Sequence, residues 1–538
     1  MLAATICCGL GMMCTSCSSD DSSSNSPTPP TPPTPPEVAD YTVMLYCTGG
    51  ENLDNMTEYD MMNACKGLKG NEQHVRFFIE YKYSSREGLD KQMEEQKGSV
   101  YLSGDGKGIP GALYRLELTS NMVDGNTMQY FSDDDRYGTQ QEKSQLYQPD
   151  SIASFIKYCQ KAGPAKNYIL IIGDHGSGFH VMYDYDKNGS VAAKAARRAV
   201  CSDSFNDNKD ISIKELRTGI ERSGVHLKLL NFDDCLMNNM EVLSEFTGVT
   251  DYLMASSHVT TGGDFEKFIK RLANAAKNND FVGEMKQYTE EFIVPYNKIK
   301  EQPEVLKKYP NQQKYSDFCF TDMKKFKDVI PALKAFTDKL ISEAKAGILT
   351  VADQDSAACK SYQGSPDYPH YDIMSYAYQL QAADKNLVTE YNTLKTAIEA
   401  ARIKQVYTTV LSDYLQKCDY KELSYNITLG ATVTCNTKDQ KGKANNGTTH
   451  TILRMGIANE VTGDVPCLDE EGKTWWYETT ENPKTFCYEP EDKSFGDDKY
   501  AWSNSYELNA LVQQTGWDKW LKTNKGFPTK NPPFTKFE

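Results

Sequence analysis

The sequence predicts an α/β protein built on a mostly parallel central sheet, followed by a C-terminal α+β region. The first observation is a set of short, almost continuously apolar runs, which is typical of strands buried on both faces. The second is that segments with apolar residues at helical spacing lie between these runs. The third is that glycine and proline separate the two kinds of segment. Apolar strands that alternate with helices form a parallel sheet with helices on both faces.

The predicted strands are five apolar runs, at residues 42–47, 75–81, 168–172, 226–232 and 252–256. Helices are predicted between them around residues 152–159, 213–220 and 235–243, because apolar residues there recur every three or four positions. Gly163-Pro164 and Gly224 end the first two helices. The third is expected to begin at Cys235.

The second half of the chain has a different pattern. Residues 322–340 and 387–415 read as amphipathic helices. Residues 425–435 and 449–455 alternate between apolar and polar side chains, which favours antiparallel strands. The aromatic-rich tail between residues 475 and 520 matches neither pattern.

The length of 538 residues exceeds what one core usually contains, so several domains are expected. The expected organisation is a signal peptide at 1–16, a Ser/Pro/Thr-rich linker at 17–40, an α/β domain at 41–300, a helical extension at 301–420 and a β-rich region at 421–538. The Pro-Thr repeats of the linker cannot build a core and are expected to form an extended spacer.

The N-terminal residues predict export and lipidation. Residues 1–16 are small and apolar, as in a secretory signal. The run Cys14-Thr15-Ser16-Cys17 resembles a bacterial lipoprotein cleavage box, which makes Cys17 the expected acylation site. We therefore expect an exported lipoprotein at the outer membrane or cell surface, held to the membrane by its lipid alone.

The charge balance excludes some partners. The net charge is -15 and the pI is about 5.1, which argues against nucleic acid and suits a protein that attracts basic peptides. We expect a monomer. No metal site or cofactor is expected. Residues 184–189 (DYDKNG) resemble the start of a calcium loop, but its twelfth position, Ala195, is not acidic; a turn is the favoured interpretation, and calcium binding is the alternative.

Two predicted strands run directly into residues that can carry chemistry. The third strand is followed by Gly173-Asp174-His175-Gly176, and the fourth by Asp233-Asp234-Cys235. Parallel sheets place their sites beyond the carboxyl ends of the strands, so neighbouring strands would bring His175 and Cys235 together. A thiol needs such a base because it is only a few per cent ionised at neutral pH. The N–H groups of Gly176 and Cys235 could stabilise the oxyanion of a tetrahedral intermediate.

The segments GDHGSG (173–178) and DDCLM (233–237), in this order and spacing, resemble the clostripain-like cysteine peptidases. This family shares a caspase-like α/β/α fold with caspases and gingipains. Four further segments look like the family: TVMLYCTGGENLDN (42–55), SDSFNDNKDISIKELRTGI (202–220), FTDMKKF (320–326) and HYDIMSYAYQL (370–380). The resemblance covers roughly residues 41–400. It implies a cysteine endopeptidase in which His175 and Cys235 form the catalytic dyad.

The resemblance also implies cleavage after Arg or Lys, in peptide or protein substrates, with acids lining the pocket for the basic side chain. Asp233 matches one such acid, and Asp264 is the candidate for a second. An alternative role for Asp233 is to cap a helix. The loop around Asp264 departs from the family, since it contains His258 and lacks a tryptophan.

Residues 192–200 (AAKAARRAV) lie between the two catalytic segments, where relatives cut themselves to become active. The candidates for self-cleavage are Lys194, Arg197 and Arg198. A solvated loop is the other interpretation of this basic stretch. For the whole protein, the alternative function is a surface lipoprotein that binds protein or glycan and whose peptidase site has decayed.

Overall fold

The computed structural model describes the folded part of the chain with gaps. The described residues are 38–47, 53–82, 101–103, 113–124, 127–129, 146–176, 178–179, 200–203, 209–258, 260, 262–294, 316–345, 370–416, 420–428, 431–438, 444–454, 465–469, 474–478, 486–488 and 509–523.

An eight-stranded sheet forms the centre of the structure. Across the sheet its strands are Arg402–Tyr407, Asp317–Asp322, Thr250–Ala255, Leu227–Phe232, Ala165–Ile172, Ala39–Cys47, Val75–Lys82 and Leu113–Leu118. The five strands predicted from the sequence are consecutive in this order and mutually parallel. The outer strands on both sides pair antiparallel. The predicted α/β class with a mostly parallel sheet is therefore confirmed.

Helices cover both faces of the sheet and bury two separate apolar clusters. One face carries the helices Asp54–Leu68, Phe265–Asn278 and Phe281–Phe292. The other carries Pro149–Ala162, Ile213–Ser223, Met240–Glu245, Met323–Lys345, Ile373–Ala383 and Val388–Ala401. The central strand residues between them, such as residues 43–46 and 169–172, have almost no exposed surface, which explains why these sequences are apolar on both sides.

The central sheet continues past residue 300. The strands Asp317–Asp322 and Arg402–Tyr407 extend it on the side of the strand Thr250–Ala255. The boundaries expected at 300 and 420 therefore fall inside one structural unit, residues 37–538.

Two helix predictions need correction. The continuous helix predicted at 387–415 is broken by the strand Arg402–Tyr407, after which the helix Thr409–Leu415 follows. The sequence RIKQVY contains no turn residue, so only pairing with the neighbouring strand decides its conformation. The helix predicted to begin at Cys235 begins instead at Met240.

The C-terminal part contains a closed barrel and a pair of short helices. The barrel strands are Ala431–Lys438, Ala444–Arg454, Val465–Asp469, Thr474–Glu478 and Phe486–Tyr488. The helices Ala510–Thr515 and Trp517–Thr523 follow the barrel in the chain. The smaller elements are the strands Tyr101–Ser103, Val123–Asp124, Thr127–Gln129, Ser202–Asp203, Lys209–Asp210, His370–Asp372 and Asn426–Thr428 and the 3-10 turns Ser120–Met122 and Lys385–Leu387.

The two C-terminal helices pack against elements that are distant in sequence. The indole N–H of Trp517 donates to the carbonyl oxygen of Thr428 at 2.9 Å. The N–H of Ala510 donates to the Glu245 carboxylate at 3.2 Å, and the Asn509 amide donates to the carbonyl of Glu241 at 3.3 Å. These contacts secure the helix Met240–Glu245, which follows the Cys235 segment. Within the described residues, no helix combines the length and apolar character that a membrane span requires.

Candidate active site

The register of two neighbouring strands brings His175 and Cys235 to the same edge of the sheet. Leu227–Phe232 pairs in parallel with Ala165–Ile172, and Phe232 lies opposite Ile172. The pairing extends one step further, since the N–H of Asp233 donates to the carbonyl of Ile172 at 2.8 Å. His175 and Cys235 are each the third residue after this matched pair, and both are partly exposed.

Gly176 makes the closest approach between the two loops. A Cβ atom added to Gly176 would lie 2.2 Å from the carbonyl oxygen of Cys235 and 2.9 Å from its nitrogen. Real Cβ atoms do not approach other atoms this closely, so glycine is required here on steric grounds. The main chain next to His175 therefore lies directly against the main chain of Cys235. The oxyanion role of the Gly176 and Cys235 N–H groups stays a prediction.

The Cys235 thiol contacts Thr260. Thr260 belongs to the stretch that follows the strand Thr250–Ala255, called the 256–264 segment below. The N–H of Thr260 donates to Sγ of Cys235 at 3.4 Å. Among the residues whose burial the structure describes, five other cysteines are buried: Cys47, Cys65, Cys159, Cys201 and Cys319. Burial raises the pKa of the Cys65 thiol to about 12 and also raises that of Cys159. Cys235 has the solvent access and the N–H donor that a reactive thiol needs.

The helix that follows Cys235 begins at Met240 and not at Cys235, so its N-terminus is not located at the thiol. Residues 235 and 236 form a turn, in which Leu236 has a positive φ of 65°. The Asn239 side chain caps the following helix by accepting the N–H of Val242 at 2.9 Å. Because the capped N-terminus begins at Met240, stabilisation of a thiolate falls to local N–H groups and the imidazole.

Asp233 faces the 256–264 segment and does not cap a helix. Its Oδ1 accepts the N–H of Gly263 at 2.7 Å. Gly262 has a φ of +93°, and a Cβ there would lie 3.2 Å from Oδ2 of Asp233. Burial raises the pKa of Asp233 to about 6, against the opposing effect of the Gly263 N–H. The residue Asp233 as a whole is partly exposed.

Asp264 is engaged with its own helix. Its Oδ1 accepts the N–H of Lys267 at 3.0 Å, so it caps the helix Phe265–Asn278. Its Oδ2 lies 3.0 Å from the ammonium group of Lys267. Asp264 still contributes charge to the site, because it raises the pKa of the nearby Asp60.

A buried ion pair supports the 256–264 segment from behind. Nδ1 of His258 lies 2.6 Å from Oδ1 of Asp317, and both side chains are at most 1% exposed. The same oxygen accepts the N–H of Ser257 at 2.8 Å. The carbonyl of His258 accepts the N–H of Leu236 at 3.1 Å. The loop that contacts the thiol is thus tied to the strand Asp317–Asp322.

The arrangement has the parts of a thiol hydrolase site, and the sequence comparison agrees. A sequence model of the Clostripain family matches residues 46–523. The chain belongs to the clostripain family. This confirms the resemblance found in the two loop segments.

Clostripain from Hathewaya histolytica is 26% identical over 255 residues, which are 44% of this chain and 43% of clostripain. The chain therefore matches less than half the length of that relative. Among solved structures, an inactive zymogen C11 protease from Parabacteroides distasonis shares 15% identity with a TM-score of 0.47, covering 91% of this chain and 99% of the other. A secreted C11 cysteine protease from Bacteroides thetaiotaomicron, in complex with an irreversible peptide inhibitor, shares 13% identity with a TM-score of 0.45, covering 89% and 100%.

Sequence reasoning missed Asp60 in this clostripain-family site. Asp60 lies on the helix Asp54–Leu68, which follows the strand adjacent to the His175 strand. Burial raises the pKa of Asp60 well above its usual range, and the nearby carboxyls of Asp233 and Asp264 raise it further. The local sequence does not mark Asp60 as a site residue, because an acid in the run TEYDMM resembles an ordinary exposed helix residue.

Several predicted residues lie outside the described part of the chain. They are the lipidation candidate Cys17, the self-cleavage candidates Lys194, Arg197 and Arg198, and the calcium-like segment 184–189. Within the described residues, no group of three or more His, Cys, Asp or Glu side chains is arranged to hold a metal ion.

Proposed function

We propose that this protein is a cysteine endopeptidase that cleaves peptide bonds after Arg or Lys. Cys235 is the nucleophile and His175 the general acid and base. The observation that carries the proposal is the contact of Gly176 with the main chain of Cys235, beside the acidic group Asp233. A thiol, an imidazole and a carboxylate that can bind a cation then meet at one sheet edge.

The proposed reaction follows from these groups. The thiolate of Cys235 attacks the carbonyl carbon, and the π electrons move to the oxygen, where main-chain N–H groups stabilise the negative charge. His175 donates its proton to the leaving nitrogen as the C–N bond breaks. The neutral imidazole then removes a proton from water. The resulting hydroxide attacks the thioester, which releases the acid product and returns the thiolate.

The acidic side chains near Cys235 favour substrates with a basic residue directly before the scissile bond. The residues Asp233 and Asp60 are both partly exposed, and burial raises the pKa values of both carboxyls, so we place the two acids at the binding position of the substrate cation. A guanidinium can pair with a carboxylate through two parallel hydrogen bonds, whereas an ammonium acts as a single point charge. Binding of either cation would favour the ionised carboxylates.

The dyad is tested with Cys235→Ala and His175→Ala. Both variants should lose hydrolysis of an Arg-containing peptide by more than about 1000-fold while keeping the circular dichroism spectrum of the wild type. A chloromethyl ketone with an Arg side chain should label Cys235 in the wild type. Full activity in Cys235→Ala would refute the proposal. An unlabelled, inactive wild type would favour the binding-protein alternative.

The specificity role of the acids is tested with Asp233→Asn and Asp60→Asn. Each should lower kcat/KM for an Arg substrate by about 10- to 100-fold, because a charge-assisted hydrogen bond contributes roughly 1.5–3 kcal/mol. The ratio of kcat/KM between the Arg substrate and its citrulline analogue should fall to the same extent. An unchanged ratio in both variants would exclude these acids from the binding pocket.

We also propose activation by self-cleavage after Lys194, Arg197 or Arg198, based on the basic, small-residue character of this stretch and its position between the two catalytic segments. Wild type should separate into two chains on a denaturing gel. Cys235→Ala should stay a single chain, as should a variant with all three basic residues replaced by alanine. If that triple variant is still cut at residues 192–200, the site assignment is wrong.

Anchoring through a lipid on Cys17 at the outer membrane or cell surface is a further proposal, based on the segment Cys14-Thr15-Ser16-Cys17. Cells that express the full chain should incorporate a labelled fatty acid into the protein. Cys17→Ala should abolish this label, and Cys8→Ala is the matched control that should keep it.

A further inference from the structure

Two aspartates, each directly before a proposed catalytic residue, form a chain of hydrogen bonds between the two loops. The N–H of Asp174 donates to Oδ1 of Asp234 at 2.6 Å. The N–H of His175 donates to Oδ1 of Asp174 at 2.6 Å. The side chain that precedes Cys235 is thus connected, in two steps, to the main chain of His175.

Asp234 lies at the point where the loops touch. Its side chain is 0% exposed, and a Cβ on Gly176 would lie 2.7 Å from its Cβ. Its second oxygen, Oδ2, is buried and has no hydrogen-bond partner among the described residues. A buried carboxyl group with one unsatisfied oxygen lowers the stability of the fold. Its presence at this position therefore suggests a functional role.

We propose that Asp234 is a positioning residue that holds the His175 loop in register with Cys235. It accepts the Asp174 N–H and thereby fixes the distance between imidazole and thiol, without contacting the substrate. The inference rests on the proposed dyad. A displacement of about 1 Å between reacting groups can reduce turnover by about 100-fold, which gives such a hydrogen bond its importance.

The surroundings of Asp234 favour its neutral form. Burial raises the pKa of Asp234 well above its usual range, and the carboxyls of Asp174 and Asp233 raise it further, against the Asp174 N–H. The ionisable groups on the two loops are these two acids, His175 and Cys235. A neutral Asp234 places no negative charge beside the thiolate, whereas its ionisation at alkaline pH would oppose the thiolate.

The 256–264 segment adds two further ionisable groups, which are occupied elsewhere. His258 pairs with Asp317 at 2.6 Å, and Asp264 pairs with Lys267 at 3.0 Å. Neither supplies a cation to the second oxygen of Asp234.

The test compares Asp234→Asn with Asp234→Ala. Asparagine keeps an acceptor oxygen for the Asp174 N–H and is neutral at every pH, so kcat at pH 7 should stay within about 3-fold of the wild type. Alanine removes the acceptor, and kcat should fall by about 30-fold with KM within about 2-fold, because binding of the basic side chain is untouched. Equal losses of kcat in the two variants would overturn the proposal.

The pH dependence of Cys235 alkylation separates positioning from a general loss of structure. The labelled peptide is quantified by mass spectrometry after reaction with iodoacetamide. In Asp234→Ala the inflection should move up towards about 8.5, the ordinary pKa of a thiol, because the imidazole no longer meets the sulfur. In Asp234→Asn it should stay at the wild-type position.

Asp372→Ala is the matched control. Asp372 is also a buried acid, 5% exposed, that accepts a main-chain N–H, from Ser375 at 2.8 Å. It caps the helix Ile373–Ala383, so its loss should lower stability without moving the alkylation inflection. An Asp234→Ala variant that behaves like this control in kcat and alkylation would show a purely structural role.

Failure of this inference is distinguishable from failure of the proposed function. If Cys235→Ala is inactive and Asp234→Ala keeps the wild-type kcat, the positioning role alone is wrong. If Cys235→Ala keeps hydrolytic activity, the dyad itself is wrong.

Discussion

At the scale of single residues, the site combines one thiol with carboxyl groups whose ionisation depends on their surroundings. Asp233 and Asp234 are adjacent in sequence, but Asp233 accepts the N–H of Gly263 in the 256–264 segment and Asp234 accepts the N–H of Asp174 in the His175 loop. Burial raises the pKa of both carboxyls, and the residue Asp233 is partly exposed whereas Asp234 is buried. The two neighbours therefore suit the different roles proposed for them, substrate binding for Asp233 and positioning for Asp234.

The raised pKa of Asp233 predicts that the KM of Arg substrates depends on pH. Its pKa is raised to about 6, so it is ionised above that pH and neutral below it. KM should therefore increase as pH falls through about 6, because the neutral acid no longer attracts the guanidinium. In Asp233→Asn, KM should be high and flat over the same range, measured by initial rates. A substrate with a neutral side chain is the control, since its KM should not respond; a parallel increase for that substrate would contradict the prediction.

The close contact between Gly176 and the main chain of Cys235 predicts that a side chain at position 176 lowers turnover. Gly176→Ala places a methyl group 2.2 Å from the carbonyl oxygen of Cys235, so the two loops must separate. The kcat should fall by about 100-fold or more, consistent with the sensitivity of reacting groups to displacement. Gly173→Ala is the matched control in the same loop, because its Cβ would meet the Leu45 side chain at 3.1 Å, which can adjust. Equal kcat values in the two variants would show that the close contact is unimportant.

At the scale of elements, the parallel strands were predictable and the edge strands were not. The central strands are buried on both faces, so their sequences are continuous apolar runs. Arg402–Tyr407 is half-buried along its whole length and merges in sequence with the helices on either side. The placement of His175 and Cys235 at one sheet edge could be predicted because both residues follow apolar strands. Asp60 and the His258–Asp317 pair could not, because their roles depend on contacts between segments far apart in sequence.

The 256–264 segment depends on Asp317 for its support. Asp317 pairs with His258 in a fully buried setting, so Asp317→Asn should lower the free energy of unfolding by about 3 kcal/mol, the cost of removing one partner of a buried pair. Urea unfolding at pH 7 measures this. Asp338→Asn is the control, since Asp338 is exposed and pairs with Lys334 on its own helix. A difference below about 0.5 kcal/mol between the variants would contradict the role given to the pair.

The lowered pKa of Asp317 makes the stabilisation by the Asp317–His258 pair depend on pH. Burial would raise the pKa, but the charge and hydrogen bond of His258 hold it below the usual value. A lowered pKa in the folded state means that the contribution is complete above about pH 4, the ordinary pKa of an aspartate, and is lost as pH falls through the folded-state value. The stability difference between wild type and Asp317→Asn should therefore shrink below pH 4.

At the scale of the whole molecule, distant parts of the chain meet at the helix Met240–Glu245, which follows the Cys235 segment. Trp517 is 0% exposed and donates to Thr428, whose N–H donates to the Glu241 carboxylate at 3.0 Å. Trp517→Ala should lower the free energy of unfolding by about 4 kcal/mol, because a large buried side chain is lost. Trp517→Phe is the matched control. It keeps an aromatic ring and loses the hydrogen bond, so it should lower the free energy of unfolding by only about 1 kcal/mol. Urea unfolding that does not separate the two variants would contradict this packing role.

The contacts of the two C-terminal helices have a consequence for the timing of biosynthesis. The Asn509 amide meets the carbonyl of Glu241, a residue made 268 positions earlier. During translation, a nascent chain can display its thiol and imidazole long before the helix behind them is secured. We therefore expect the growing polypeptide to be a poor protease until residues 509–523 emerge, which would spare the synthesising cell from premature proteolysis.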